Sequence, residues 1–487
     1  MNQTPKNPKT YYVTTSIPYA NAKPHLGHSM EFIQGDVLAR WHRQQGTEVR
    51  FQIGTDEHGQ KLYEAAEEAG QDTLSFVSSM SQTFVDLAEL LNISHDVFVR
   101  TTADDHKLAS QKLWEACSDG IYKGEYKGLY CTACEQYYTA KDAVEGYCPV
   151  HPNRSLEELS MESYFLKLAP FQARLIDLIK SDEYRIFPQH RKNEILSFLE
   201  NNELEDLSVS RPKSHLTWGV VVPGDPEHVM YVWFDALANY ITTLGYPDGA
   251  DLAKWWPADL HIVGKDISRF HAVYWPIMLM TAGIDVPQAL YVHGFINAAG
   301  GVKMSKSLGN VVAPEEVVKI YGVDALRYYL LRYIPHDSDG DFSLDRVHEV
   351  YTADLANDLG NLVQRIASML VRYNDSVVAP ATAEISHLTL FDDWTHQADF
   401  NGALATIFAQ VSRLNKRLEE TQPWTLAKTD QTAAVAILSD VAHELVGIAT
   451  ELWPFLPDTA TKIRATFKDD RVDSEIGILF PRVEREA

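Results

Sequence analysis

The chain has 487 residues, 45% apolar and 23% charged, which excludes a disordered or fibrous protein and predicts two to four globular domains. Its net charge of −24, from 43 basic and 67 acidic side chains, excludes a generally basic surface, so any nucleic acid must be met by a local basic track of modest, salt-sensitive affinity. Residues 1–10 lack the apolar core of a secretory signal, no run approaches the roughly 18 apolar residues of a membrane span, and four cysteines are too few for a disulfide framework. A cytoplasmic, reduced compartment without membrane partners is the expectation.

Residues 11–15, Tyr-Tyr-Val-Thr-Thr, read as a strand, and 16–24 carry turn residues. Beyond Leu26, apolar residues at 30, 33, 37 and 41 predict a helix. His25 and His28 then share one face near its positive end, and Gly27 between them leaves the backbone open to a polyphosphate. The next strand, 48–53, closes on Gly54-Thr55-Asp56-Glu57-His58-Gly59. Polar residues at the C-terminal end of a strand are where open α/β sheets bind ligands.

The alternation of strand and helix stops near 120. Residues 121–225 hold Cys131-Thr132-Ala133-Cys134 and Cys148-Pro149-Val150-His151, two knuckles whose four ligands predict a closed, structural Zn²⁺ site. Cys117 lies outside that spacing and is expected to pack as a small hydrophobe. The α/β pattern resumes at 231–235 (Tyr-Val-Trp-Phe-Asp), read as a strand, with further strands at 260–263 and 290–292. Lys303-Met304-Ser305-Lys306-Ser307 follows in a glycine-flanked loop, where two mobile cations can follow charge developing on phosphates. From 346 onward, apolar residues recur at helical spacing in three runs (347–370, 400–418 and 438–452), predicting a helical bundle.

The expected architecture is a doubly wound parallel, Rossmann-like α/β domain, interrupted by a zinc-knuckle insertion and followed by an all-α bundle. Its parts are the first catalytic half over 1–120, the insertion over 121–225, the second half over 226–300, the lysine loop and a stem-contact region over 301–345, and the bundle over 346–487.

In order and spacing, His25-Leu26-Gly27-His28 and Lys303-Met304-Ser305-Lys306-Ser307 resemble the HIGH and KMSKS signatures of class I aminoacyl-tRNA synthetases, with Leu26 replacing the usual isoleucine. Ser16-Ile17-Pro18-Tyr19-Ala20-Asn21, the Gly54–Gly59 segment, Tyr231-Val232-Trp233-Phe234-Asp235-Ala236 and Gly264-Lys265-Asp266-Ile267 make the chain similar to the methionyl-tRNA synthetases from about Tyr12 to Trp424. The resemblance implies ATP-dependent activation of methionine to methionyl-adenylate, then transfer to the terminal adenosine of tRNA(Met), including the initiator. It implies that His25, His28, Lys303 and Lys306 are catalytic. ATP falls to Gly27, Lys265, Asp266, Gly294, Lys306 and Arg211, and methionine to Ile17, Tyr19, Asp56, Trp233, Tyr240, Ile267 and His271. Cys131, Cys134, Cys148 and His151 are implied for one zinc, Mg²⁺ accompanies ATP, and Asn361, Arg365 and Trp424 read the anticodon. A monomer is expected, because the C-terminal module of many relatives is absent from this sequence. Arg413, Lys416 and Arg417 form a basic stripe that reads better as a solvated face than as an RNA contact.

Three rival readings are weighed: a class I enzyme for another amino acid, a plain nucleotidyltransferase, and a non-catalytic tRNA-binding paralogue. The short insertion opposes the editing enzymes for Ile, Val and Leu. The helical third opposes the second rival, and the intact signatures oppose the third.

Overall fold

The computed structural model describes residues 10–133, 136–138, 146–149, 151–303, 312–382, 393–473 and 477–484. Two compact units emerge. The first comprises 1–24, 42–89 and 93–293, and the second comprises 25–41, 90–92 and 294–487.

The first unit is built on six parallel strands. Across the sheet they run Val97–Arg100, Glu48–Thr55, Thr10–Thr15, Leu260–Gly264, Ala289–His293 and Arg185–Phe187. The strand order reverses between Thr10–Thr15 and Leu260–Gly264, which pair Thr14 with His261 and Thr15 with Ile262. Connections leave these two strands in opposite directions, so their C-terminal ends part around a crevice. The core beside them holds Trp275, Met278, Leu290 and Val292, all buried. The expected doubly wound parallel sheet is therefore present.

Two features differ from the sequence reading. Residues 231–235 are not a strand. The antiparallel strand Asp225–Met230 ends just before them, and Val232–Thr242 is a helix. Ten of its eleven residues are buried, the polar Asp235, Asn239 and Thr242 among them. A short apolar run such as residues 231–234 does not distinguish a buried strand from a buried helix. The expected insertion also reaches into the main sheet, because Arg185–Phe187 pairs with Ala289–His293 as its edge strand. The rest of the insertion is an antiparallel sheet of Ile121–Cys131, Gln136–Tyr138, Glu157–Leu166 and Leu207–Ser208, with a smaller one beyond it.

In the second unit, residues 26–41 belong to the Leu26–Gln44 helix, in which residue 26 and residues 29–41 are buried. The amphipathic stripe expected there is a helix enclosed on all sides. Its buried charges are paired. Asp36 Oδ2 lies 2.7 Å from Arg327 and 2.8 Å from Arg40, and Arg327 also donates to the carbonyls of Phe455, Pro454 and Leu91.

The helices Asn361–Asn374, Phe400–Thr421, Gln431–Leu452 and Pro457–Thr466 follow the expected periods. Leu404, Ile407, Val411, Leu414 and Leu418 are fully buried, as are Leu438, Val441 and Leu445. Asp399 and Asp430 cap two of the helices by accepting from Gly402 N and Ala433 N, which satisfies donors that a helix start leaves open. Among the described helices, Gln431–Leu452 is long and apolar enough to cross a bilayer. It buries Asp440 and Glu444, which pair with Arg417 and Arg413 within this unit.

Candidate active site

The crevice end of the first unit gathers the residues expected to hold an amino acid. After the first strand, the chain runs through Ile17 and Tyr19, both half-buried. Tyr19 bridges to Asp56 at the end of the second strand, with Ala20 N donating to Asp56 O and Asp56 N to Pro18 O, each at 2.9 Å. These backbone bonds hold the Asp56 and Tyr19 main chains side by side, and the buried Asp56 carboxylate accepts from His58 N at 3.2 Å. Gly54 permits this strand end: a Cβ there would lie 2.3 Å from the backbone oxygen of Val99.

The Val232–Thr242 helix supplies an aromatic wall. The half-buried Trp233 ring stacks on Phe270 at 3.8 Å between centroids and meets Tyr19 edge-on at 6.4 Å. One turn or more along the helix, the Tyr240 hydroxyl lies 2.7 Å from His271 Nε2. His271 Nδ1 is 3.0 Å from the carbonyl of Ile267. A carbonyl only accepts, so Nδ1 carries the hydrogen, and with one ring proton placed there Nε2 accepts from the Tyr240 hydroxyl. Tyr12 and Tyr184 donate to the carbonyls of Tyr240 and His271, each at 2.9 Å.

Beneath Tyr240 lies His261, fully buried, with Trp275 Nε1 at 3.3 Å from Nε2 and Thr14 Oγ1 at 2.7 Å from Nδ1. Burial holds its pKa well below the ordinary imidazole value. The structure thus brings Ile17, Tyr19, Asp56, Trp233, Tyr240, Ile267 and His271 into one unit and links most of them by direct contacts. A carboxylate at one side and polarizable rings at the other suit an ammonium group carrying an apolar side chain.

Asp266 and Lys265 open the turn after Leu260–Gly264. Asp266 is exposed and folds back over Gly264, where a Cβ would lie 2.8 Å from its Oδ1. Arg211 is buried, donates to Ser208 Oγ at 3.0 Å and Ser210 O at 2.7 Å, and places its guanidinium 4.4 Å from the Tyr231 ring centroid. It lines a cavity of about 140 Å³ with Gln60, Tyr130 and His215.

The two signature histidines lie in the second unit. Their rings stack at 3.8 Å with an interplanar angle of 14°. His25 precedes the helix rather than lying in it, and its carbonyl accepts from Ser29 N. His28 Nδ1 accepts from His25 N at 3.3 Å, and His25 Nδ1 from Gly27 N at 3.1 Å. Desolvation by its neighbours lowers the His25 pKa, although its outer edge is open to solvent. Gly27 also has a local steric role beside the expected one. A Cβ there would lie 2.9 Å from His25 Cε1, so the glycine makes room for the histidine ring.

Gly294 lies against the backbone of Ser338, whose oxygen would be 2.2 Å from a Cβ. The lysine-loop root is a small sheet of Ile296–Ala298, Val302–Lys303 and Gly340–Phe342, and Asp341 accepts from Gly300 N and Gly301 N at 3.0 Å each. The Lys303 side chain and all of Lys306 lie outside the described residues.

In the insertion, the ligand atoms of Cys131, Cys148 and His151 lie within 4.8 Å of one another. Cys148 Sγ is 3.9 Å from His151 Nδ1 and accepts from His151 N at 3.3 Å. Two thiols and an imidazole at such separations can bind a metal ion, and the spacing fits tetrahedral zinc. Cys134 lies outside the described residues. Cys117 is buried away from them, and burial pushes its thiol up to about 12.

Within the bundle, Arg365 sits 5.2 Å from the Trp424 ring centroid and pairs with Glu419 at 2.8 Å. Asn361, one turn earlier on the same helix, is exposed. Arg413 and Arg417 pair with the buried carboxylates of Glu444 and Asp440, whereas Lys416 pairs with Glu420 on the exposed surface. Sequence reading missed His58, Asp235 and His261. Asp235 is the lone charged side chain of a buried helix, and that was the signal available for it, because such a group needs a partner.

Comparisons with known proteins agree with this geometry. A family model described as tRNA synthetases class I (M) matches residues 11–160 and 152–367. A methionine–tRNA ligase of Caldanaerobacter subterraneus subsp. tengcongensis is 42% identical over 472 residues, covering 93% of this chain and 73% of that one. One from Brucella suis is 41% identical over 476 residues, covering 93% and 90%. A solved structure of Mycobacterium tuberculosis methionyl-tRNA synthetase with methionyl-adenylate superposes with a TM-score of 0.90 at 36% identity, covering 97% of this chain and 100% of that one.

Proposed function

This chain belongs to the class I tRNA synthetases, in their methionine group, and joins methionine to tRNA; we propose that it does so in two steps, with the residues assigned below. The methionine carboxylate attacks the α-phosphate of ATP, forming methionyl-adenylate and releasing pyrophosphate. A terminal adenosine hydroxyl of tRNA(Met) then takes the methionyl group and AMP leaves. The observation that carries the assignment is the linked set of Asp56, Tyr19, Trp233, Tyr240 and His271.

Asp56 holds the substrate ammonium. Trp233, Tyr240, Ile17 and Ile267 enclose the thioether, where sulfur–aromatic contacts contribute about 0.3–1.5 kcal/mol each. Tyr19 and His271 supply polar contacts. His25, His28, Lys303 and Lys306 stabilise phosphate charge as it develops, and Gly27, Lys265, Asp266, Gly294 and Arg211 accompany the nucleotide. No side-chain nucleophile is required, so rate enhancement comes from positioning and charge stabilisation. Mg²⁺ arriving with ATP neutralises phosphate charge. One Zn²⁺ on Cys131, Cys134, Cys148 and His151 is structural, because four protein ligands leave no open position. Asn361, Arg365 and Trp424 meet the anticodon, and the active form is a cytoplasmic monomer.

Amino-acid-dependent ATP–pyrophosphate exchange, run with each of the twenty amino acids and no tRNA, tests the pocket. Exchange with methionine alone is expected; exchange with another amino acid would discard these side-chain assignments. For the metal, Cys131→Ser is expected to lose stoichiometric zinc and lower the melting temperature. Full zinc retained by that variant would count against the knuckle.

A further inference from the structure

His58 and Asp235 take no part in the roles assigned above, yet they form one of the most enclosed polar contacts in the first unit. His58 Nδ1 lies 2.6 Å from Asp235 Oδ2, with side chains 3% and 1% exposed. Each partner belongs to a different wall of the pocket. His58 lies two residues beyond Asp56, and its backbone N–H donates to Asp56 Oδ1 at 3.2 Å. Asp235 lies two residues beyond Trp233 and five before Tyr240, on the Val232–Thr242 helix.

The surroundings hold this contact from both sides. Trp218 meets the His58 ring edge-on at 5.7 Å and donates from Nε1 to Glu57 O at 2.6 Å, pinning the turn that carries Asp56. Glu57 is tied in turn by Arg100 at 2.6 Å and by Thr101 Oγ1, which accepts its backbone N–H at 2.9 Å. On the helix side, His106 Nδ1 lies 2.9 Å from Thr242 Oγ1. Burial raises the Asp235 pKa, and His58 opposes that rise. A buried carboxylate is costly unless it has a partner, so removing either member cuts a direct tie between the two segments, while these other contacts still hold each segment in place.

We propose that His58 and Asp235 are positioning residues for methionine: their bond sets the span between the Asp56 carboxylate and the Trp233–Tyr240 wall, and so governs affinity for the amino acid rather than for ATP. This rests on the reading that Asp56 holds the substrate ammonium. Methionine is unbranched and flexible, so a pocket selects one rotamer only by contacting its ammonium and its thioether at the same time. A pocket whose two ends drift apart contacts one or the other well, but not both.

The test is steady-state ATP–pyrophosphate exchange by the full chain, with KM measured separately for methionine and ATP. For His58→Ala the methionine KM is expected to rise about tenfold or more, the effect of losing one hydrogen bond to a charged group. The ATP KM should stay within about twofold, with kcat recovered at saturating methionine. Asp235→Asn should fall between wild type and His58→Ala, because its amide oxygen can still accept from the imidazole. An unchanged methionine KM in folded variants, or equal rises in both KM values, would overturn the proposal and leave a purely structural pair. Should His58→Ala fail to fold, Asp235→Asn, of nearly the same volume, carries the same readout. Wild-type exchange that does not depend on methionine would remove the underlying pocket reading first, and is scored before either variant.

Discussion

The first unit buries six histidines, His58, His106, His228, His261, His271 and His293, whereas the second buries none among its described residues. The second instead encloses Asp36, Arg40, Asp324 and Arg327. In the first unit, imidazoles bond to hydroxyls, carbonyls and a carboxylate, as at Thr14–His261, Tyr240–His271 and His106–Thr242. Most of these ring nitrogens meet neutral partners, the His58–Asp235 contact being an ionic exception. In the second, full charges join segments distant in sequence, with Arg327 reaching 36, 91, 454 and 455. A guanidinium has five donors in a fixed fork, so one residue holds several chain segments at once. The contrast teaches that buried imidazoles are satisfied one or two bonds at a time by near neighbours in the fold, whereas one buried guanidinium ties several distant segments together.

Breaking the charged arrangement has the largest expected effect. Arg327→Ala leaves Asp36 and three carbonyls without this donor and should cost about 3–5 kcal/mol, the range for splitting a buried ion pair. Urea denaturation reads this directly. A loss under about 1 kcal/mol would show that Asp36 is satisfied by Arg40 alone.

Acid titration separates the two kinds of burial next. His106 has its pKa lowered to about 3, and that of His261 is lowered well below the ordinary value, both chiefly by burial. The unfolded chain takes up these protons near the unperturbed value of about 6.5, while the folded chain does not. Their contribution is therefore complete above about pH 6.5 and declines as pH falls, by up to about 1.4 kcal/mol per pH unit for each histidine. Melting temperature should drop between about pH 7 and about pH 5, and His106→Gln should make that slope shallower. A slope unchanged by the substitution would assign the acid sensitivity elsewhere.

The smallest expected effect on stability tests the signature helix. Gly27→Ala gains helix propensity, up to about 1 kcal/mol, but displaces the His25 ring. Melting should change little, while exchange falls roughly tenfold because a catalytic group is misplaced. Unchanged exchange would show that the stacked arrangement of His25 and His28 is not the active one.

Legibility in the sequence followed locality. The Leu26–Gln44 helix, the bundle helices and the knuckle spacing depend on residues a few positions apart, and periodicity and ligand spacing encode such neighbours directly. The residues assigned to methionine came from motif resemblance, and the structure links most of them by direct contacts, from Asp56 through Tyr19 and Trp233 to His271, Tyr240 and Ile267. The Val232–Thr242 helix was misread because residues 231–234 form a short apolar run that suits a strand or a helix equally, and the polar residues that mark the helical period, Asp235, Asn239 and Thr242, lie almost wholly beyond it. The Arg185–Phe187 edge strand was hidden inside a region that otherwise reads as an insertion. Arg327 was passed over because nothing nearby marks its partners.

Sequence alone determined the order of the signatures, the α/β-then-α character of the chain, and the residue types of the candidate site. Tertiary structure decided which polar groups are buried together. His58 meets Asp235 across 177 positions, and Arg327 reaches Leu91 across 236. Pairings at that range arise from how the sheet winds and the helices pack, and each is retained because a buried polar group left without a partner costs more than the order needed to supply one.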